Sequence, residues 1–179
     1  MSYEYFASSL PALKFGDPPP FGPAELLAAA GGVLSGPDFA ALDALLSGAE
    51  SEHPFAVAWR DCETQLRNAV ARRRAARRPG GGADAAARFE RPHGGWRASI
   101  ETGVAAAYQE PDPLARHRAL ARLRWDTASE LAGGNPFSAD AVLAWAVKLL
   151  VNADLAAADP EKGLAKFDAA ASAPSGAAR

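Results

Sequence analysis

The chain has one cysteine, Cys62, one isoleucine, Ile100, and one methionine, Met1, in 179 residues. A single thiol excludes an internal disulfide framework and any cysteine-rich zinc site. With one Ile, seven Val and three Thr, β-branched residues are too few for a large sheet. Histidine is nearly as scarce: His53, His93 and His117 stand in different segments, without a His-x-x-x-His pair. There is no Gly-x-Ser-x-Gly elbow and no Cys locally paired with His, so no catalytic residue, metal ligand or cofactor site is assigned. A long apolar run is missing too. The longest stretch, Ala141 to Val151, is too short to span a bilayer and is broken by Lys148. Nor is there an excess of one charge: 19 basic residues against 21 acidic ones give a net −2 and a pI near 5.9. That balance exerts no global pull toward nucleic acid or anionic lipid. The opening Met1-Ser2-Tyr3-Glu4-Tyr5 lacks the basic start and apolar core of a signal peptide. A cytoplasmic protein without membrane insertion is the expectation.

What the chain does have is alanine, 44 residues of it, about a quarter of the whole. Alanine is the best helix former and contributes little buried area, which favours closely packed helices. Near-neutral charge argues against plain disorder despite the modest count of large apolar residues. The length fits one domain, and punctuation by Pro and Gly divides it. Residues 1–22 read as an extended, Pro-rich segment, because Pro18-Pro19-Pro20 forbids a helix there. Pro23 opens a short helix closed by Gly31-Gly32, and Ser35-Gly36-Pro37 opens another that carries Phe39, Leu42, Leu45 and Leu46 to Gly48. Pro54 begins a long helix toward Arg78, with Phe55, Trp59, Cys62, Leu66 and Ala69/Val70 on one face.

Beyond the Gly-rich stretch, Trp96, Ile100, Val104 and Tyr108 form an i+4 stripe. Asp112-Pro113 starts a helix to about Ala132, and Ser138 caps one to about Ala153. The Ser138 helix is apolar almost all round and belongs at the centre of the core. Asp159-Pro160 starts a last short helix with Leu164 and Phe167. The reading is all-α, with six to eight helices. It divides into an N-terminal half at 1–78, a linker at 79–84, a C-terminal half at 85–171 and a tail at 172–179.

Three constellations carry chemistry. Cys62 lies on the apolar stripe, where a buried, inert thiol is the better reading. Pro79-Gly80-Gly81-Gly82 is glycine-rich, but no Lys-Ser or Lys-Thr follows and a charged helix precedes it, so it is a linker and not a P-loop. The sharpest charge feature is Arg72, Arg73, Arg74, Arg77 and Arg78. At helical spacing these five spread over roughly 240° of surface, a collar at a helix C-terminus that suits the helix dipole. They are also the candidate contact for an acidic partner. No aromatic lies within the run, which disfavours nucleic acid. Trp125 and Trp145 read first as core packing; a secondary reading pairs Lys148, in so apolar a helix, with an acid such as Asp126 or Glu130. Asn135-Pro136-Phe137 is explained as the loop before the Ser138 cap.

Several segments together carry a resemblance. They are Tyr3-x-Tyr5-x-x-Ser8-Ser9-Leu10-Pro11; Trp59 with Leu66-Arg67-Asn68; and Arg124-Trp125-Asp126 with Asn135-Pro136-Phe137-Ser138. Leu143-Ala144-Trp145-Ala146-Val147-Lys148 and Asp159-Pro160-Glu161-Lys162-Gly163-Leu164 complete the set. In this order they resemble a bacterial family encoded in V-type ATPase operons, the domain of unknown function 2764. The Tyr-x-Tyr opening and the Leu-Arg-Asn helix are also similar to the ATPase subunit that caps the membrane ring and receives the central shaft. That subunit (C in prokaryotic naming, d in eukaryotic) is an all-helical funnel roughly twice this length.

The resemblance implies no reaction and no catalytic residues. It implies a non-enzymatic adaptor or assembly factor with V-type ATPase subunits as partners and no small-molecule ligand, peripheral at the inner face of the membrane through the ATPase. Trp59, Arg67, Asn68, Arg124, Trp125, Asp126, Trp145 and Lys148 are its structural signature here. The alternatives are a small helical enzyme, which requires a cleft gathering His93 or His117 with carboxylates, and nucleic-acid binding through the arginines.

Overall fold

Helix boundaries follow the caps. In the computed structural model, which describes residues 3–78 and 82–158, Ser35 Oγ accepts the amide of Asp38 at 3.4 Å. The Asp112 carboxylate accepts the amides of Leu114 and Ala115, and Ser138 Oγ accepts that of Ala141. Each satisfies an orphan amide of a first turn, and Pro occupies the first turn of four helices, where its missing N–H costs nothing. Among the described residues there are eight helices and no strand: α1 Glu4–Ser9, α2 Pro23–Ala30, α3 Gly36–Ser47, α4 Pro54–Ala76, α5 Ala83–Ala87, α6 Ala98–Ala107, α7 Pro113–Ala132 and α8 Ala139–Ala157. The protein is all-α. No helix of the described residues is long and apolar enough to cross a membrane.

Helix α8 is the centre of the larger core. It lies along α7 and also touches α3 and α2. Val142, Leu143, Val147 and Leu149 are buried in it beside Leu26 of α2, Leu42 of α3 and Trp125 of α7. A second, smaller core joins Cys62, Leu66 and Ala69 of α4 to Ile100 and Val104 of α6 and to Tyr108. Both draw on residues from either side of 79–84, so the two stretches of sequence pack as intermingled helices. Small residues permit this closeness. A Cβ on Gly103 of α6 would stand 2.7 Å from the Leu123 side chain of α7.

Two expectations are corrected. The N-terminal segment is not extended throughout, because Glu4–Ser9 is helical. The Tyr3 amide donates to the Phe137 carbonyl at 2.7 Å, and Tyr3 and Phe6 are buried, so tertiary anchoring forms a turn that local signals do not announce. Residues 10–22 then cross α7 and α8 as a strap. Trp145 Nε1 donates to Pro11 O at 3.0 Å, Phe15 meets Trp125 edge-on, and Phe21 leans on Trp145. The second correction concerns Trp96, which is 65% exposed and precedes α6 instead of heading its buried stripe. Gln65 of α4 holds both the amide and the carbonyl of Arg97, which sets the helix start at Ala98 and leaves Trp96 outside. The expected helix after Asp159-Pro160 and the tail at 172–179 lie outside the described residues, as do residues 79–81 of the linker.

Candidate partner-binding cleft

Three buried amides organise the surroundings of the site. Gln65 and Asn68 stand three apart on one face of α4. Asn68 donates to the Arg91 carbonyl at 2.7 Å and accepts the Arg91 amide at 2.9 Å, and Gln65 does the same for Arg97. Together they fix the irregular segment 88–97 against α4. Asn152 of α8 does likewise for the strap, donating to Lys14 O at 2.8 Å and accepting the Gly16 amide at 3.0 Å. Each pairing satisfies backbone groups that an extended segment leaves open, and burying such groups unpaired is costly.

The arginine collar divides on this frame. Arg72 is committed internally, bonded to Glu90 at 2.9 Å and to Glu101 at 2.7 Å. Burial works against its charge, but hydrogen bonds and the two carboxylates more than offset that and hold its pKa above the ordinary arginine value. Arg77 donates to the Tyr108 carbonyl and lies over the Tyr108 ring. Arg74 is exposed and donates its Nε–H to the Tyr108 hydroxyl at 3.2 Å. Arg73 and Arg78 are exposed, and their side chains make no ion pair or hydrogen bond among the described residues. Arg72 and Arg77 are thus tied to other parts of the fold, while Arg77 remains exposed.

Arg74 and Arg78 border a cleft of about 660 Å³ between α4, α5 and α7. Arg67 of α4 and Arg124 of α7 complete its cationic rim, with Leu66, Val70, Ala71 and Leu120 as an apolar floor. Arg67 is largely exposed, 3.9 Å from Glu63, whereas Arg124 is oriented by the same carboxylate at 2.7 Å. Phe89, two-thirds exposed, stands at one end. Asp154 of α8 is the one acid among the described lining residues. His117 Nε2 is sealed from solvent 3.4 Å from Asp154 Oδ2, yet makes no hydrogen bond.

The remaining predicted residues are structural. Trp59 is half-buried against the larger core, and Asp126 bonds Arg122 one turn earlier at 3.0 Å. Lys148 does not bond an acid: its Nζ lies 5.3 Å from the Trp125 ring centre, and Glu130 is taken by Arg97. Burial pushes the Lys148 pKa down and the charge of Asp126 only partly restores it. Cys62 is buried, and burial raises its thiol pKa, which disfavours the reactive thiolate. His53 caps α4 and bonds Asp38, while His93 reaches only the neighbouring Gly94 carbonyl. No group of three or more metal-ligating side chains stands together among the described residues. Sequence reasoning missed Gln65 and Asn152, while His117, weighed there with carboxylates for an enzyme's cleft, lines this one beside Asp154. Only Gln65 carried a signal, since it shares a helix face with Asn68.

No family model matches the chain, and neither a curated protein nor a solved structure matches it.

Proposed function

We propose that the chain is a non-enzymatic helical adaptor serving a V-type ATPase or ATP synthase, as a central-stalk C/d-like part or an assembly factor, and that it receives an acidic partner on the α4–α7 cleft. The cleft carries this reading: among the described residues four arginines line it against one acid, over an apolar floor. Charge of one sign around an apolar centre steers and orients a complementary protein surface. The buried amide pairings and the cation–π contact of Lys148 give the signature residues a scaffold's role, and the ATPase link rests on the resemblance of those segments. Affinity purification of the tagged protein from its native host tests it. Recovery of ATPase subunits is expected, and recovery of none from soluble or membrane fractions refutes the reading.

A small helical enzyme is the second reading, favoured by the placing of His117 beside Asp154 in the cleft. It predicts hydrolysis of p-nitrophenyl esters or phosphates that His117→Ala abolishes. Turnover no faster than buffer removes it.

A further inference from the structure

Deepening that reading, and resting on its choice of the cleft as partner site, we infer that the segment bound there is an acidic amphipathic helix laid along α4. The lining residues of α4 fall in neighbouring pairs at every fourth position, Leu66 and Arg67, Val70 and Ala71, Arg74 and Ala75, and Arg78 follows just past the helix end. The helical members form one continuous strip, about 14 Å long at the helical rise per residue, which Arg78 extends. Its apolar members face the cleft floor with Leu120 of α7. Arg67 and Arg74 stand about 10 Å apart along the axis, and Arg78 continues the row beyond the helix end.

A single carboxylate or phosphate headgroup engages one or two guanidinium groups and leaves the others of so long a row unpaired. An α-helix of about three turns matches the strip in length, and acids along one of its edges repeat at the spacing of the arginines. Its apolar face would cover the floor and the exposed Phe89 ring. A nucleic acid would bring charge without the apolar face that this floor requires.

The full-length protein is titrated with a fluorescently labelled peptide that carries Leu and Ala on one helical face and Glu at i, i+4, i+7 and i+11. A scrambled peptide of identical composition, phosphatidylglycerol vesicles and a single-stranded oligonucleotide serve as comparisons. The amphipathic peptide is expected to bind at least about tenfold more tightly than the scrambled one, with an affinity that falls as salt rises. Arg67→Glu/Arg78→Glu, which alters two exposed rim residues, loses at least about tenfold, and Ala71→Glu in the floor independently does the same. Circular dichroism confirms the helical content of both variants. Equal binding of the two peptides, undiminished binding by both variants, or variant-sensitive binding of vesicles or oligonucleotide in place of the peptide overturns the inference. Peptide binding without ATPase recovery refutes only the adaptor assignment, and ATPase recovery without peptide binding refutes only the helix-in-groove mode.

Discussion

At the scale of single residues, the buried polar side chains do more for the architecture than their number implies. Asn152 is 1% exposed and bonds the strap at two points 136 and 138 residues away in sequence. Asn152→Ala leaves a buried amide and carbonyl unpaired, so it is expected to destabilise the fold by about 1–3 kcal/mol, seen as a lower urea midpoint at an unchanged slope. Asp38 gathers the Tyr3 hydroxyl, the Ser35 hydroxyl and the His53 ring. Burial alone would raise its pKa, but the hydrogen bonds from Ser35, Tyr3 and His53 and the His53 charge outweigh burial and hold it below the ordinary aspartate value. A carboxyl depressed in the folded state binds its proton more readily in the unfolded chain. The stability it adds is therefore complete above about pH 3.9 and is lost as pH falls through its lower folded value. Asp38→Asn is expected to be less stable than the parent at neutral pH, with the gap closing in acid. A gap independent of pH, in thermal melts from neutral to acid pH, contradicts this.

At the scale of elements, local chemistry is legible and long-range pairing is not. Pro23, Pro54, Ser35, Asp112 and Ser138 mark where helices start, because a first turn is completed by residues within three or four positions of it. The α1 helix, the strap and the true start of α6 depend on Tyr3, Asn152 and Gln65 meeting backbone that lies more than thirty positions away, and no periodicity encodes that. The cleft was half legible: the arginine run flagged one end of α4, but Arg67, Arg124 and Leu120 join it only once α7 is packed against α4. The approach of α6 to α7 depends on glycine at 103. Gly103→Val would press on Leu123 and is expected to cost about 1–3 kcal/mol by overpacking. Differential scanning calorimetry would register a lower unfolding temperature, and Gly103→Ala is expected to fall between Val and the parent.

At the scale of the whole molecule, alanine lets helices approach closely while few large side chains fill the centre. The interleaving of both halves in two cores makes the unfolding of the described body cooperative, so a single transition is expected whether it is followed by tryptophan fluorescence or by circular dichroism. The outer face of α4 is where this economy of large residues leaves charge and an apolar floor together, with Asp154 the one acid among the described lining residues. The most direct test of the adaptor account is therefore a paired affinity purification from the native host, with the parent protein and Arg67→Glu/Arg78→Glu expressed at equal levels. The account predicts V-type ATPase subunits with the parent and their depletion with the charge-reversed variant. The absence of ATPase subunits from both, or their equal recovery, would contradict it.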